Sequence, residues 1–128
     1  MKNSLITAAL LTLTLAAAHA QPVVREGILA DAAGRTLYTF DKDTAGKSNC
    51  SGGCLAAWPA FLAKEGASAK GEFTLIDANG GKQWTVKGMP LYYFAGDSKP
   101  GERNGEGSGG VWHTVGGAQK VSATTSAY

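Results

Sequence analysis

The chain has 128 residues, which is enough for one small domain with a modest core. Twelve Lys and Arg residues stand against ten Asp and Glu residues, and the basic residues form no run. This balance argues against nucleic-acid binding, because phosphate contacts need clustered Lys and Arg side chains. No segment after residue 20 is apolar enough to predict a membrane span.

Residues 1–20 are predicted to be a cleaved signal peptide. Lys2 supplies the positive start, Leu5 to Ala18 is an apolar run, and Ala18-His19-Ala20 fits the small-x-small pattern of a cleavage site. We therefore expect residues 1–20 to lie outside the fold and the mature chain to begin at Gln21. This predicts export to the periplasm or the extracellular medium. No lipid anchor is expected, because no cysteine sits at the cleavage point.

The mature segment contains mainly strand patterns, with few helix signals. The predicted strands are 28–30, 35–40, 73–76, 83–86, 91–94 and 111–115. Asn79-Gly80 favours a hairpin turn over residues 77–81, because these residues adopt the left-handed conformations that such turns need. A helix is predicted to start at Cys54, and Pro59 interrupts it after one turn. Residues 101–110 are predicted to be a loop and residues 119–128 a flexible tail.

Six residue types recur at a constant offset of 54 residues. The first set is Gly34, Leu37, Tyr38, Phe40, Asp43 and Trp58, and the second set is Gly88, Leu91, Tyr92, Phe94, Asp97 and Trp112. Such a recurrence predicts a duplicated supersecondary unit in which each copy buries the other. We predict a mainly β, single small domain over residues 21–118, built from two pseudo-symmetric antiparallel units. Copy one covers about 27–61 and copy two about 81–115.

The doubled Leu-Tyr-x-Phe-x-x-Asp pattern also carries a family resemblance. Further matching segments are Cys50-Ser51-Gly52-Gly53-Cys54, Trp58-Pro59, Gly88-Met89-Pro90-Leu91-Tyr92 and Trp112-His113. Together they resemble the secreted-repeat family of predicted bacterial lipoproteins with a Tyr-x-(Phe/Trp/Tyr)-x-x-Asp motif. The resemblance runs from about Gly27 to Val115. It implies an extracytoplasmic bacterial protein with tandem repeats and implies no catalytic residues. This chain departs from the lipoprotein pattern because it has no lipobox cysteine.

The repeated residues have structural and functional interpretations. The repeated aromatic residues Tyr38, Phe40, Tyr92 and Phe94 could stack on a ligand. Aromatic residues of this kind more often form a core, and we expect this for these four residues and for Trp58 and Trp112. Asp43 and Asp97 could bind a cation or, as we favour, accept hydrogen bonds from nearby backbone N–H groups in a turn.

Cys50 and Cys54 are the only cysteines, and an exported pair is expected to form a disulfide. The alternative is a Cu(I) or thiol redox site, with Cys50, Cys54 and His113 as soft donors. On a strand, however, His113 points away from the face occupied by Trp112. We favour the disulfide over any metal site and expect no cofactor.

No catalytic constellation can be assembled from the sequence. The mature chain has a single histidine and no Gly-x-Ser-x-Gly segment to support a hydrolase. Asp41 to Gly52 lacks the Glu that ends a calcium loop, and the glycines of Gly105 to Gly110 lack a preceding strand. The sequence therefore favours a non-enzymatic exported module, binding or structural, whose partner is an unknown envelope protein or ligand. The alternative function is the copper-binding or thiol redox factor.

Overall fold

The structure, a computed structural model, describes residues 18–78 and 80–116. The predicted tail at 119–128, most of the predicted signal peptide and Asn79 of the predicted hairpin turn lie outside the described residues. No helix in the described part of the chain is long and apolar enough to span a membrane.

Seven short strands form three small antiparallel sheets in the described part of the chain. The strands are β1 (Val23–Arg25), β2 (Ile28–Ala30), β3 (Tyr38–Phe40), β4 (Phe73–Ala78), β5 (Gly81–Val86), β6 (Met89–Pro90) and β7 (Trp112–Thr114). The sheets have the orders β1-β2, β3-β7 and β4-β5-β6. One short helix, α1, covers Gly53–Ala57, and a 3₁₀ turn covers Ser108–Gly110. The mainly β, antiparallel class predicted from the sequence is confirmed.

Individual elements agree with the sequence where local signals are strong. The β4–β5 hairpin pairs Phe73 with Val86 and continues to Ala78 opposite Gly81, so its strands reach closer to the turn than predicted. Helix α1 ends before Pro59, as expected. The strand predicted at 91–94 is wrong: β6 ends at Pro90, and beyond it Tyr92 forms only isolated bridges. Strand β1 was not predicted, because its sequence is mixed.

The Leu-Tyr-x-Phe segment of each copy lies against the last segment of the other copy. Strand β3 of copy one pairs with β7 of copy two, with Tyr38 opposite Thr114 and Phe40 opposite Trp112. In the reciprocal arrangement, the Tyr93 N–H donates to the Pro59 carbonyl at 2.8 Å. Tyr38 and Tyr92 meet at the centre, where each backbone N–H donates to the other's carbonyl, at 2.8 and 2.9 Å. The two copies are therefore interleaved about a pseudo-two-fold axis.

Two buried clusters make up the core. The first contains Leu29, Leu37, Phe61, Trp84, Val86, Leu91 and Tyr93. The second contains Tyr38, Phe40, Cys50, Trp58, Tyr92 and Trp112. The repeated leucines thus lie in one cluster and the repeated aromatic residues, with the disulfide, in the other. Phe94 packs against the second cluster and is only partly buried.

The repeated glycines allow a loop of the opposite copy to approach. Gly34 has a φ of +96°, and a Cβ there would lie 3.1 Å from Cβ of Pro100. Gly88 has a φ of +85°, and a Cβ there would lie 3.2 Å from Cβ of Ala45. Positive φ values are strained for residues with a side chain. These two positions therefore need glycine both for backbone conformation and for close contact.

The repeated tyrosines and aspartates form hydrogen bonds between the copies. The Tyr38 hydroxyl donates to Oδ2 of Asp97 at 2.6 Å, and the Tyr92 hydroxyl donates to Oδ2 of Asp43 at 2.7 Å. All four side chains are buried. Burial raises the pKa of both tyrosines and of Asp43. A buried polar group without a partner is costly, so each copy depends on the other to satisfy its polar groups.

The remaining oxygen of each aspartate holds a loop of its own copy. Oδ1 of Asp43 accepts the Asn49 N–H at 2.6 Å, and Oδ1 of Asp97 accepts the Asn104 N–H at 2.9 Å. This is the backbone-capping arrangement that the sequence favours for these residues. Each aspartate therefore links the loop of its own copy to the tyrosine of the other.

A double-mutant cycle should detect the Tyr38–Asp97 hydrogen bond. Tyr38→Phe removes the donor to a buried carboxylate, which should lower the free energy of unfolding by about 1–3 kcal/mol. Combining it with Asp97→Asn should give a coupling energy of about 0.5–3 kcal/mol in urea denaturation, as for residues in direct contact. The control pairs Tyr38→Phe with Asp43→Asn, which is not its partner. Equal coupling energies in both cycles would contradict a specific hydrogen bond between Tyr38 and Asp97.

Candidate ligand-binding cleft

The repeated aromatic residues stack on one another across the copies. The ring centroids are 4.2 Å apart for Phe40 and Trp112, 3.8 Å for Trp112 and Trp58, and 4.4 Å for Trp58 and Phe94. The stack therefore alternates between copy one and copy two. Because Trp58 and Trp112 are only 6% and 5% exposed, these rings act as core and not as a ligand surface.

Cys50 and Cys54 form a disulfide, as predicted, with Cα atoms 5.3 Å apart. Gly52 has a φ of +56° and turns the chain into α1, which carries Cys54. Cys50 is 4% exposed and belongs to the aromatic cluster, while Cys54 packs against that cluster. The disulfide thus ties the loop after Asp43 to the start of the helix that leads to Trp58.

His113 lies in an exposed ion-pair cluster, and the structure does not place it with the cysteines. Its Nε2 lies 2.9 Å from Oδ2 of Asp41, and its Nδ1 lies 3.6 Å from Oε2 of Glu106. The hydrogen bond to Asp41 is the main cause that raises the pKa of His113, with a smaller contribution from Glu106. Within residues 18–78 and 80–116, no three His, Cys, Asp or Glu side chains are arranged to hold a metal ion. The geometry gives no support to the copper alternative.

A cleft of about 420 Å³ lies between the disulfide loop and the β4–β5 hairpin. Its walls are formed by Gly46, Lys47, Ser48, Cys50, Ser51, Leu55, Ala60, Asp77, Ala78 and Gln83. This volume lies within the range of small-molecule binding sites. The cleft is bounded by copy one on one side and by the hairpin that precedes the motif of copy two on the other. It is therefore a feature of the interleaved pair.

Polar groups of the cleft are held by the core beneath it. The Ser48 hydroxyl lies 2.5 Å from the Tyr92 hydroxyl, which in turn donates to Asp43. Gln83 is only 1% exposed, and its Nε2 donates to the Leu91 carbonyl at 2.8 Å. Because these side chains are bonded to buried partners, they are pre-oriented. The arrangement offers fixed hydrogen-bonding groups in a concave wall.

The rim of the cleft carries one charge of each sign. Lys47 is exposed on the disulfide loop, and Asp77 is exposed on β4. Lys82 lies 2.6 Å from the Asp77 carboxylate and lowers the pKa of that group, so Asp77 is ionised at neutral pH. A small polar molecule or a short peptide segment could contact the Ser48 hydroxyl and both charges.

A second cleft of about 520 Å³ is lined by Ala18, Lys64, Leu75 and neighbouring residues. Ala18, which belongs to the predicted signal peptide, forms part of its wall. The first cleft is the stronger candidate, since its lining includes the pre-oriented Ser48 and Gln83 and lies wholly after residue 45.

The sequence did not identify Lys47, Ser48, Asp77 or Gln83 as site residues. They belong to no motif, and Ser and Gln are common in surface loops. The sequence signal that could have identified part of this site is that the two copies differ at these loop positions. At the offset of 54 residues, Ser48 aligns with Glu102, Cys50 with Asn104 and Cys54 with Ser108. The cleft is lined by positions where the copies differ, while the positions where they agree lie mainly in the core.

The fold and its interleaved copies define a small two-repeat β protein. The chain matches, at residues 26–61 and 74–116, the family described as a secreted repeat of unknown function. These two matches coincide with the two halves of the fold, and the protein belongs to this family of exported proteins. The second match begins at β4, before the predicted start of copy two. No curated protein and no solved structure gives a significant match.

Removing the disulfide should lower stability without abolishing the fold. The bridge closes a loop of only five residues, from Cys50 to Cys54, so Cys50→Ser/Cys54→Ser should cost about 2 kcal/mol in urea denaturation. Reductant should destabilise the wild-type protein by a similar amount and leave the double variant unchanged. Equal stability of wild type and variant under oxidising conditions would contradict a stabilising role.

The His113 cluster should stabilise the fold at mildly acidic pH. Because folding raises the pKa of His113, its contribution is complete below the unfolded value of about 6.5 and is lost as the pH rises through the folded value. The thermal stability of wild type should exceed that of His113→Gln at about pH 6, and the difference should shrink by about pH 8.5. The difference should remain under about 1 kcal/mol, because the groups are exposed and screened by solvent.

Comparing wild type with His113→Gln at each pH also cancels the contribution of His19 to stability, because both proteins contain that residue. Burial lowers the pKa of His19, so that residue contributes stability with the opposite dependence on pH. Asp41→Asn should reduce the difference between wild type and His113→Gln at low pH. A difference that is independent of pH would show that the ion pair does not titrate with folding.

Proposed function

We propose that the protein is a non-enzymatic exported binding module that holds a small polar ligand, or a short segment of an envelope partner, in the cleft. The observation that carries the proposal is the division of labour between residues. The repeated residues contact the other copy, whereas the cleft is lined by residues outside the repeated set. A binding role fits a fold in which the hydrogen-bonding groups of the repeated residues are already satisfied within the core.

The chemistry of the walls supports a polar ligand. Ser48 provides a hydroxyl, the buried Gln83 supports the wall from the core, and Leu55, Ala60 and Ala78 provide apolar contacts. Sites for small ligands commonly combine apolar walls with a few placed polar groups. Lys47 and Asp77 at the rim favour a ligand that carries both charges, such as a free amino acid.

The proposed place of action is the periplasm or the extracellular medium, without a lipid anchor. Membership of a secreted family supports export. The sequence supports a soluble form, because it has no cysteine at the predicted cleavage point.

Site-directed photo-crosslinking in the native envelope tests the proposal. A photoreactive amino acid at Lys47, on the cleft rim, should give a defined adduct. The same amino acid at Lys70, which is exposed and does not line the cleft, should give none. Ser51→Trp should fill the cleft and reduce the adduct by about tenfold or more, equivalent to about 1.4 kcal/mol of lost binding free energy.

Ser68→Trp is the matched control, because Ser68 is also exposed but does not line the cleft. It should leave the adduct at Lys47 unchanged. Equal adducts from positions 47 and 70, or an adduct unaffected by Ser51→Trp, would contradict a role for this cleft. Turnover of a small substrate by the purified protein would contradict the non-enzymatic part of the proposal.

A further inference from the structure

The backbone of His19 is bonded to the fold on both sides. Its N–H donates to the Leu62 carbonyl at 2.9 Å, and its carbonyl accepts the Lys64 N–H at 3.0 Å. The same carbonyl accepts the indole N–H of Trp84 at 3.0 Å. Trp84 is 2% exposed, so the acceptor for its indole is supplied by residue 19. The sequence predicts that residues 1–20 lie outside the fold, and the structure differs at this residue.

The side chain of His19 completes a second set of contacts. Its ring lies 5.1 Å from the Phe61 ring, and its Nε2 lies 2.9 Å from the Tyr93 hydroxyl. That hydroxyl donates to Oδ2 of Asp31 at 2.6 Å, so Nε2 of His19 must be the donor to Tyr93. Burial lowers the pKa of His19, which agrees with a neutral imidazole in this position.

Two overlapping cleavage patterns are present in the sequence. Ala18-His19-Ala20 has small residues at the first and third positions, and so has Ala16-Ala17-Ala18. Cleavage after Ala20 would remove His19 and leave the buried Trp84 indole and the Tyr93 hydroxyl without these partners. A buried donor that lacks an acceptor lowers the stability of the fold. Cleavage after Ala18 keeps every contact of His19, because its new amino group can still donate to Leu62.

We infer that the signal peptide is removed between Ala18 and His19, so that His19 is the N-terminal residue of the mature protein. Signal peptidase adds water across the Ala18–His19 amide, leaving a carboxylate on Ala18 and an amino group on His19. The inference rests on the predicted signal peptide and is independent of the proposed ligand cleft. The enzyme acts on an extended segment, so the fold does not direct the cut. The fold shows instead which of the two cleavage products retains all the contacts of His19.

The N terminus of the exported full-length protein tests the inference. Intact mass and N-terminal sequencing of protein recovered outside the cytoplasm should give a chain that begins at His19. A chain that begins at Gln21, or one that retains residues before His19, would overturn it. The two products differ by a His and an Ala residue, which mass spectrometry resolves readily.

Ala20→Leu is the discriminating variant. Cleavage after Ala18 places Ala20 beyond the cut, so processing should remain at the wild-type rate and position. Cleavage after Ala20 requires a small residue there, so the variant would accumulate precursor or move the cut. Ala18→Leu should block processing under either alternative and serves as the positive control for loss of cleavage. Accumulated precursor in Ala20→Leu would overturn the inference.

Discussion

The exchange of hydroxyl–carboxylate hydrogen bonds between the copies is the constraint on which the structure depends. Tyr38 finds its acceptor in Asp97, and Tyr92 finds its acceptor in Asp43. A packing of the copies that failed to form these pairs would leave two buried phenols and two buried carboxylates without these partners, and each such group carries a desolvation cost. The tryptophan stack imposes the same arrangement through apolar contacts, since Trp58 and Trp112 lie face to face between the copies. Polar and apolar parts of the motif therefore specify one interleaved geometry.

This constraint also explains why the motif residues are poor candidates for a ligand site. A side chain whose hydrogen-bonding groups are satisfied within the core, and whose ring faces are covered, has little left to offer a ligand. The two cysteines have no counterparts at the offset of 54 residues, and their loop meets the β4–β5 hairpin at the cleft. Ser48 connects the cleft to the core, because it lines the cleft and its hydroxyl contacts Tyr92. The core thus fixes the cleft geometry without taking part in binding.

Local signals in the sequence predicted the local parts of the fold. The β4–β5 hairpin, the end of α1 before Pro59 and the disulfide all depend on neighbours in the chain. The offset of 54 residues predicted the duplication, but it could not predict that β3 would pair with β7 of the other copy, because strand alternation sets a face and not a partner. The cleft residues were missed for the same reason: Ser48 and Gln83 meet only through tertiary contacts. Tyr92 lies in extended backbone that was predicted as a strand, yet it is shared between two bridging partners, Tyr38 and Ala60, and forms no regular ladder.

The two halves also differ around Tyr93, which occupies the position of Thr39 in copy one. Its hydroxyl bridges His19 and Asp31, and the guanidinium of Arg35 lies 4.5 Å from its ring centroid. A threonine cannot span this distance, so only one half of the fold can receive the N-terminal segment. Duplication builds a symmetric frame, and substitutions such as this one make its two sides distinct. The side with Tyr93 binds His19, and the cleft lies on the side with the disulfide.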